Sequence, residues 1–154
     1  MHIAFASPRQ ADAIALIAEL DAFQDALYPP ESRHQLDLTQ VDEQGLLFVL
    51  ARDADGVAVG CGAVVTGREY GEIKRVYVRP GQRKSGLASR IMHMLEEAAR
   101  ASACLLLKLE SGPYQPAALG LYERCGFERC GPFGDYTDDP LSVFMQKRLL
   151  PARA

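Results

Sequence analysis

The sequence holds no pair of cysteines at C-x-x-C spacing. Cys61, Cys104, Cys125 and Cys130 are dispersed, and only three histidines accompany them. That supply argues against a zinc site or any other metal centre. Cys104 opens an apolar run and Cys125 falls in a helical pattern, so both read as small core hydrophobes, a usage that fits a reducing compartment. Also missing is a charged segment followed by a long apolar one at Met1-His2-Ile3-Ala4-Phe5. Nowhere is there a run of about 18 apolar residues, so the expectation is a cytoplasmic protein with no membrane partner. Basic excess is lacking too. The 17 Lys and Arg face 20 Asp and Glu for a net charge of -3, which argues against nucleic acid as a partner. There are no repeats, no low-complexity stretch and no linker. With 154 residues and 48% apolar content, the chain reads as one domain over residues 1–154 with enough apolar material for a core.

What is present alternates between the two periods of regular structure. Residues 2–6 read as a strand, and Ser7-Pro8 reads as the start of a helix with the stripe Ile14, Ile17, Leu20 and Phe23. Pro29-Pro30 stops it, and Ser32 to Leu38 suggests a second short helix. Strands over 46–52 and 57–66 flank Asp53-Ala54-Asp55-Gly56, a hairpin turn, and 72–78 completes a meander. Gly86 to Ala101 is an amphipathic helix with Leu87, Ile91, Met94, Leu95 and Ala98 on one side. Residues 104–109 form a buried strand, Pro116 starts a helix ending near Gly126, and short strands follow at 127–130 and 142–148. Between these last two lies a Gly/Pro/Asp-rich loop. The order predicts an α/β (α+β) fold, a mixed central sheet of about six to seven strands flanked by about four helices.

The segment Val76-Tyr77-Val78-Arg79-Pro80-Gly81-Gln82-Arg83-Lys84-Ser85-Gly86-Leu87-Ala88 carries the most chemistry. A strand runs through a cationic loop into a helix start, whose first amides lack internal partners and carry the positive end of the dipole. Such a site takes a phosphate. The GxxxxGK[ST] loop of nucleotide triphosphatases is absent.

Here the chain resembles a family. Gln82-Arg83-x-x-Gly86-x-Ala88 is similar to the Q/R-x-x-G-x-G/A acetyl-CoA signature of the GNAT superfamily of N-acetyltransferases. Gln115-x-x-Ala118-x-x-Leu121-Tyr122-x-x-x-Gly126-Phe127 is similar to its N-x-x-A-x-x-L-Y-x-x-x-G-F motif. The resemblance spans essentially the whole chain and is strongest from Glu72 to Phe127. Gln115 replaces the usual asparagine, and Ala88 replaces the second glycine. The resemblance implies acetyl-CoA as cofactor, held by Val76, Val78, Gln82, Arg83, Lys84, Ser85, Gly86, Leu87, Ala88, Gln115 and Tyr122. It also implies acetyl transfer to a primary amine of a small molecule or peptide by direct attack, and it raises a homodimer as an expectation. A non-catalytic acyl-CoA sensor on the same fold is the alternative.

Acetyl transfer from a thioester needs a base for the amine, donors for the carbonyl oxygen, and an acid for the leaving thiolate. By resemblance, a backbone N–H near Val78 serves the oxygen and Tyr122 serves the thiolate. Glu72 is the candidate base, as in the histone-modifying branch, with an ordered water or Glu110 as alternatives. Strand alternation places Glu72, Lys74, Val76 and Val78 on one face. For the acceptor, the polar and aromatic residues Tyr28, Glu31, Arg33, His34, Glu110 and Tyr136 are the candidates. Carboxylates there attract a cationic amine, whereas Arg33 and His34 suit an acceptor's own carboxylate.

Overall fold

Seven strands form one sheet in the order β1-β2-β3-β4-β5-β7-β6 in the computed structural model, which describes residues 1–152. The strands β1 (His2–Phe5), β2 (Leu46–Arg52), β3 (Ala58–Thr66) and β4 (Gly71–Val78) pair antiparallel in sequence. β5 (Leu106–Ser111) joins β4 in parallel, and β7 (Val143–Arg148) lies between β5 and the short edge strand β6 (Glu128–Cys130). Three α-helices cover the sheet: α1 (Ala11–Leu27), α2 (Leu87–Ala101) and α3 (Pro116–Arg124).

The near-continuous apolar runs of β2 and β3 follow from burial on both faces. On one face Val49, Ala51, Val59 and Val64 pack with Ile91 and Leu95 of α2. On the other, Phe48, Leu50, Cys61 and Ala63 pack with Ala13, Leu16 and Leu20 of α1. Gly62 lets α2 lie directly on β3, because a Cβ there would come within 2.8 Å of Ile91. The hairpin turn forms as expected. Gly56 takes φ 81°, and Asp53 Oδ1 accepts from the amides of Asp55 and Val57 at 2.9 and 3.0 Å.

Four expectations need correction. Helix α1 starts at Ala11, because Ser7 to Gln10 close their own turn: Gln10 Oε1 accepts from Ser7 N and Ser7 Oγ from Arg9 N, both at 3.1 Å. Its buried stripe is Ala13, Leu16 and Leu20, and Ile14 and Phe23 stand exposed. The helix expected over Ser32 to Leu38 does not form. Single 3₁₀ turns occupy Pro30–Ser32 and Leu38–Gln40, since Leu38 is buried while Leu36 is exposed, leaving no apolar face to dock. The sheet therefore carries three α-helices rather than about four. In α2 the buried set includes Met92 and Ala99, whereas Met94 and Ala98 lie at its margin.

Candidate active site

β4 and β5 are paired only at Gly71–Leu107 and Glu72–Lys108, and beyond that point they part. On its other edge β4 carries a bulge. Ala63 opposes Lys74 and Cys61 opposes Tyr77, so Gly62 alone spans Arg75 and Val76. Arg75 adopts φ 57°, and its guanidinium Nε lies 3.0 Å from Asp21 Oδ1 of α1. The bulge breaks the alternation expected for this strand. Lys74 stays opposite Ala63 on the α1 face with Glu72, whereas Val76 and Val78 pack into the α2 face. Arg79 N–H donates to Val59 O at 2.9 Å, so alternation turns the Val78 N–H away from β3 and towards the open wedge.

A groove of about 430 Å³ enters this wedge, lined by Val76, Val78, Gln82, Arg83, Lys84, Gly86, Leu87, Ala88, Gln115 and Tyr122, with Phe23 and Tyr114 added. At its polar end α2 begins at Gly86, whose φ of 80° turns the loop into the helix without any side-chain cap. The first helical bond runs from Arg90 N to Gly86 O, so the amides of Leu87, Ala88 and Ser89 have no partner within the helix. A Cβ at Gly86 would meet nothing within 4 Å. Arg83 donates to Val78 O at 3.1 Å and lies 6.0 Å from the ring centroids of Phe23 and Tyr77. Free helix amides, cations and an apolar continuation match the pyrophosphate and the arm of acetyl-CoA.

On the other side of the wedge lies a smaller cavity of about 90 Å³, lined by Tyr28, Arg33, His34, Glu72, Lys74, Glu110, Gln115 and Tyr122 among others. Glu72 accepts from Tyr136 Oη and lies 3.2 Å from Lys74 Nζ. Lys74 Nζ also donates to Tyr136 Oη at 3.0 Å. Burial pushes the Glu110 carboxyl above its ordinary range, against the hydrogen bond it accepts from Ser142 Oγ at 2.8 Å and the nearby charges of His34 and Lys74. Burial likewise raises the Tyr122 phenol, which therefore stays protonated at neutral pH. Tyr28 pins the loop before α3. Its ring stacks on Tyr114 at 5.4 Å, and its hydroxyl accepts from Tyr114 N at 3.1 Å.

Residues 14–127 match the acetyltransferase (GNAT) family. The chain belongs to the GNAT family. It is 44% identical to the IAA acetyltransferase of Azospirillum brasilense over 149 residues, 96% of this chain and 97% of that one. Over 125 residues it is 34% identical to the L-methionine sulfoximine/L-methionine sulfone acetyltransferase of Pseudomonas aeruginosa, 72% of this chain and 70% of the relative. A crystal structure from Klebsiella pneumoniae, described as an acyl-CoA N-acyltransferase, has a TM-score of 0.88 at 41% identity and covers 97% of each chain. This GNAT protein is an acetyl-CoA-dependent N-acetyltransferase. Among the described residues, no helix is long and apolar enough to cross a membrane.

Within the GNAT frame, the two cavities gather most residues singled out from the sequence, and four sit apart from that reading. Ser85 is exposed, outside the groove lining, and its hydroxyl donates to Gln82 O at 2.6 Å. Glu31 is exposed and outside the lining of the smaller cavity. Arg33 spends its guanidinium on the end of α1, donating to Asp25 O at 3.0 Å and Tyr28 O at 3.1 Å. Tyr136 stands behind Glu72 and Lys74 rather than in the cavity lining. Phe23, Lys74, Gly112 and Tyr114 were not on the sequence list. Lys74 carried the one available signal, a cation two residues from Glu72 on the same strand face.

Proposed function

We propose that this GNAT protein acetylates the free amine of a compact small molecule by direct attack on the thioester, within one domain spanning residues 1–154. One observation carries the reading. The cofactor groove and the acceptor cavity have Leu20, Val76, Gln115, Ala118 and Tyr122 in common as walls. A thioester lying along the groove and an amine in the cavity therefore meet at Tyr122, and positioning of that kind accounts for much of the rate of a two-substrate reaction. An acceptor cavity of about 90 Å³ favours a small molecule over a peptide. The acceptors named for the Pseudomonas aeruginosa relative, L-methionine sulfoximine and L-methionine sulfone, are of that class.

Acetyl-CoA supplies the activated acyl group; the chain's residues hold it and move protons. The Val78 N–H, turned to the wedge, donates to the carbonyl oxygen as charge develops, an interaction worth about 3 kcal/mol in comparable sites. Tyr122 holds its proton and gives it to the leaving sulfur. Glu110 accepts the amine proton. Its raised carboxyl is the better base of the two acidic residues, because the Glu72 carboxylate is already engaged by Lys74 and Tyr136. Glu72 then acts by fixing Lys74 and Tyr136.

Initial rates of thiol release, with acetyl-CoA and an amine varied together, test this reading. Intersecting double-reciprocal lines are expected, as for a complex of both substrates. Parallel lines, with acetyl retained on the protein in the absence of amine, would refute direct attack.

A further inference from the structure

The ionisable groups lining the acceptor cavity are of two kinds, those held in ion pairs and those outside them. Lys74 is paired with Glu72 at 3.2 Å, Arg33 with Asp25 at 3.3 Å and Arg75 with Asp21 at 3.0 Å. Apart from the phenols of Tyr28 and Tyr122, Glu110 and His34 are the ionisable lining groups outside any ion pair among the described residues. Glu110 accepts a hydrogen bond from Ser142 Oγ. His34 Nε2 is fully buried and has no hydrogen-bond partner among the described residues. Its ring is held edge-on against Tyr136, centroids 4.9 Å apart and planes at 76°, so its orientation is set by packing.

A buried nitrogen without a protein partner is costly to leave unpaired, and a bound ligand can supply the missing partner. In the tautomer protonated at Nε2, the imidazole offers that nitrogen as a donor. A simple alkylamine satisfies Glu110 and leaves His34 orphaned. An acceptor bearing both an ammonium and a carboxylate satisfies both groups, and the cavity volume keeps it compact.

We propose that His34 determines acceptor specificity by donating from Nε2 to the carboxylate of an amino acid acceptor, whose amine faces Glu110 and Tyr122. The proposal rests on the acetyl-transfer reading above and deepens it. His34 binds and orients but exchanges no proton with the reacting atoms. Its loss therefore acts on the carboxylate-bearing acceptor and not on acetyl-CoA. Arg33, the other residue suited to a carboxylate by its sequence, is occupied by the α1 carbonyls.

The test pairs each proteinogenic L-amino acid with the amine left when its carboxylate is removed, for example L-alanine with ethylamine and L-methionine with 3-methylthiopropylamine. Thiol release from acetyl-CoA is followed for the native chain, H34F and H34Q. Phenylalanine keeps the ring contact with Tyr136 and removes the donor, whereas glutamine retains a donor near the Nε2 position. Native enzyme is expected to prefer the best amino acid over its amine by about 10²-fold or more in kcat/KM, as sites with a buried hydrogen-bonding group do. H34F is expected to erase that preference through KM, and H34Q to restore part of it. Equal use of the amine by native enzyme, or an equal loss on both acceptors in the His34 variants, overturns the assignment. Thermal melts and CoA calorimetry accompany each variant, and H34Q alone decides if H34F does not fold. Turnover of amines but not amino acids sinks this proposal and leaves the transfer reading standing. CoA binding without thiol release on any acceptor sinks both.

Discussion

Replacing Gly112 by alanine tests how the loop before α3 is held. An ideal Cβ at Gly112 would stand 1.8 Å from Tyr28 Oη and 2.0 Å from its Cζ, closer than any contact can be. The φ of Gly112 is outside the left-handed range, so alanine suits the backbone and the cost is steric. The Tyr28 ring must leave its buried place. That forfeits the stack on Tyr114, worth about 0.5–1.5 kcal/mol, the hydrogen bond from Tyr114 N, about 1 kcal/mol, and some apolar burial. The expected loss is about 2–4 kcal/mol. In a chain of this length that lowers Tm by roughly 5–12 °C. Urea unfolding of native, G112A, Y28A and the double variant measures the coupling. With Tyr28 already truncated, the added methyl has room, so G112A should cost at most about 0.5 kcal/mol in that background. Equal cost in both backgrounds, or no cost in the native one, refutes the reasoning. Because the loop leads into α3 and Tyr122, kcat/KM should fall as well.

Two further outcomes follow from the same geometry. Gly86→Ala introduces a Cβ at φ 80°, which costs about 1 kcal/mol of stability. That Cβ meets no protein atom within 4 Å, so its larger effect should be weaker CoA binding by calorimetry, and undiminished affinity would remove the pyrophosphate from this helix start. Glu110 must be ionised to accept a proton, so kcat/KM should rise with pH through its raised pKa, and Glu110→Gln should lower activity and remove that limb. In stability the sign is opposite. A carboxyl raised on folding contributes stability at low pH that is lost as pH rises through the folded pKa, so Glu110→Gln should gain relative stability above it. An unaltered pH–rate profile in Glu110→Gln, with that in Glu72→Gln flattened, would return the base to Glu72.

Local signals carried the cofactor half of the site, and long-range contacts carried what they missed. The strand, cationic loop and helix start over 76–88 are contiguous, so a short window suggests a phosphate cradle, and the motif resemblance ties it to acetyl-CoA. The acceptor half is assembled from α1, the 28–38 segment, β4, β5 and the loop before β7, and no short window reports which of those residues meet. Glu72 and Val76 were expected on one face because alternation assumes a regular strand. The bulge at Arg75 inverts that parity, and the partner of its guanidinium, Asp21 on α1, lies 54 residues earlier in the chain. Phe23 read as core because its spacing fits a helix stripe. In the fold it borders the cofactor groove, beside Arg83. Arg33 and Glu31 had the right charges for an acceptor site, and only the fold reveals that one is occupied by the end of α1 and the other faces away.

The most direct test of the shared wall between groove and cavity is turnover by Tyr122→Phe, with CoA affinity measured on the same sample. Loss of the hydroxyl should lower kcat by about 10²-fold or more while the fold and the CoA dissociation constant hold. Full turnover by that variant would contradict the meeting of thioester and amine at Tyr122.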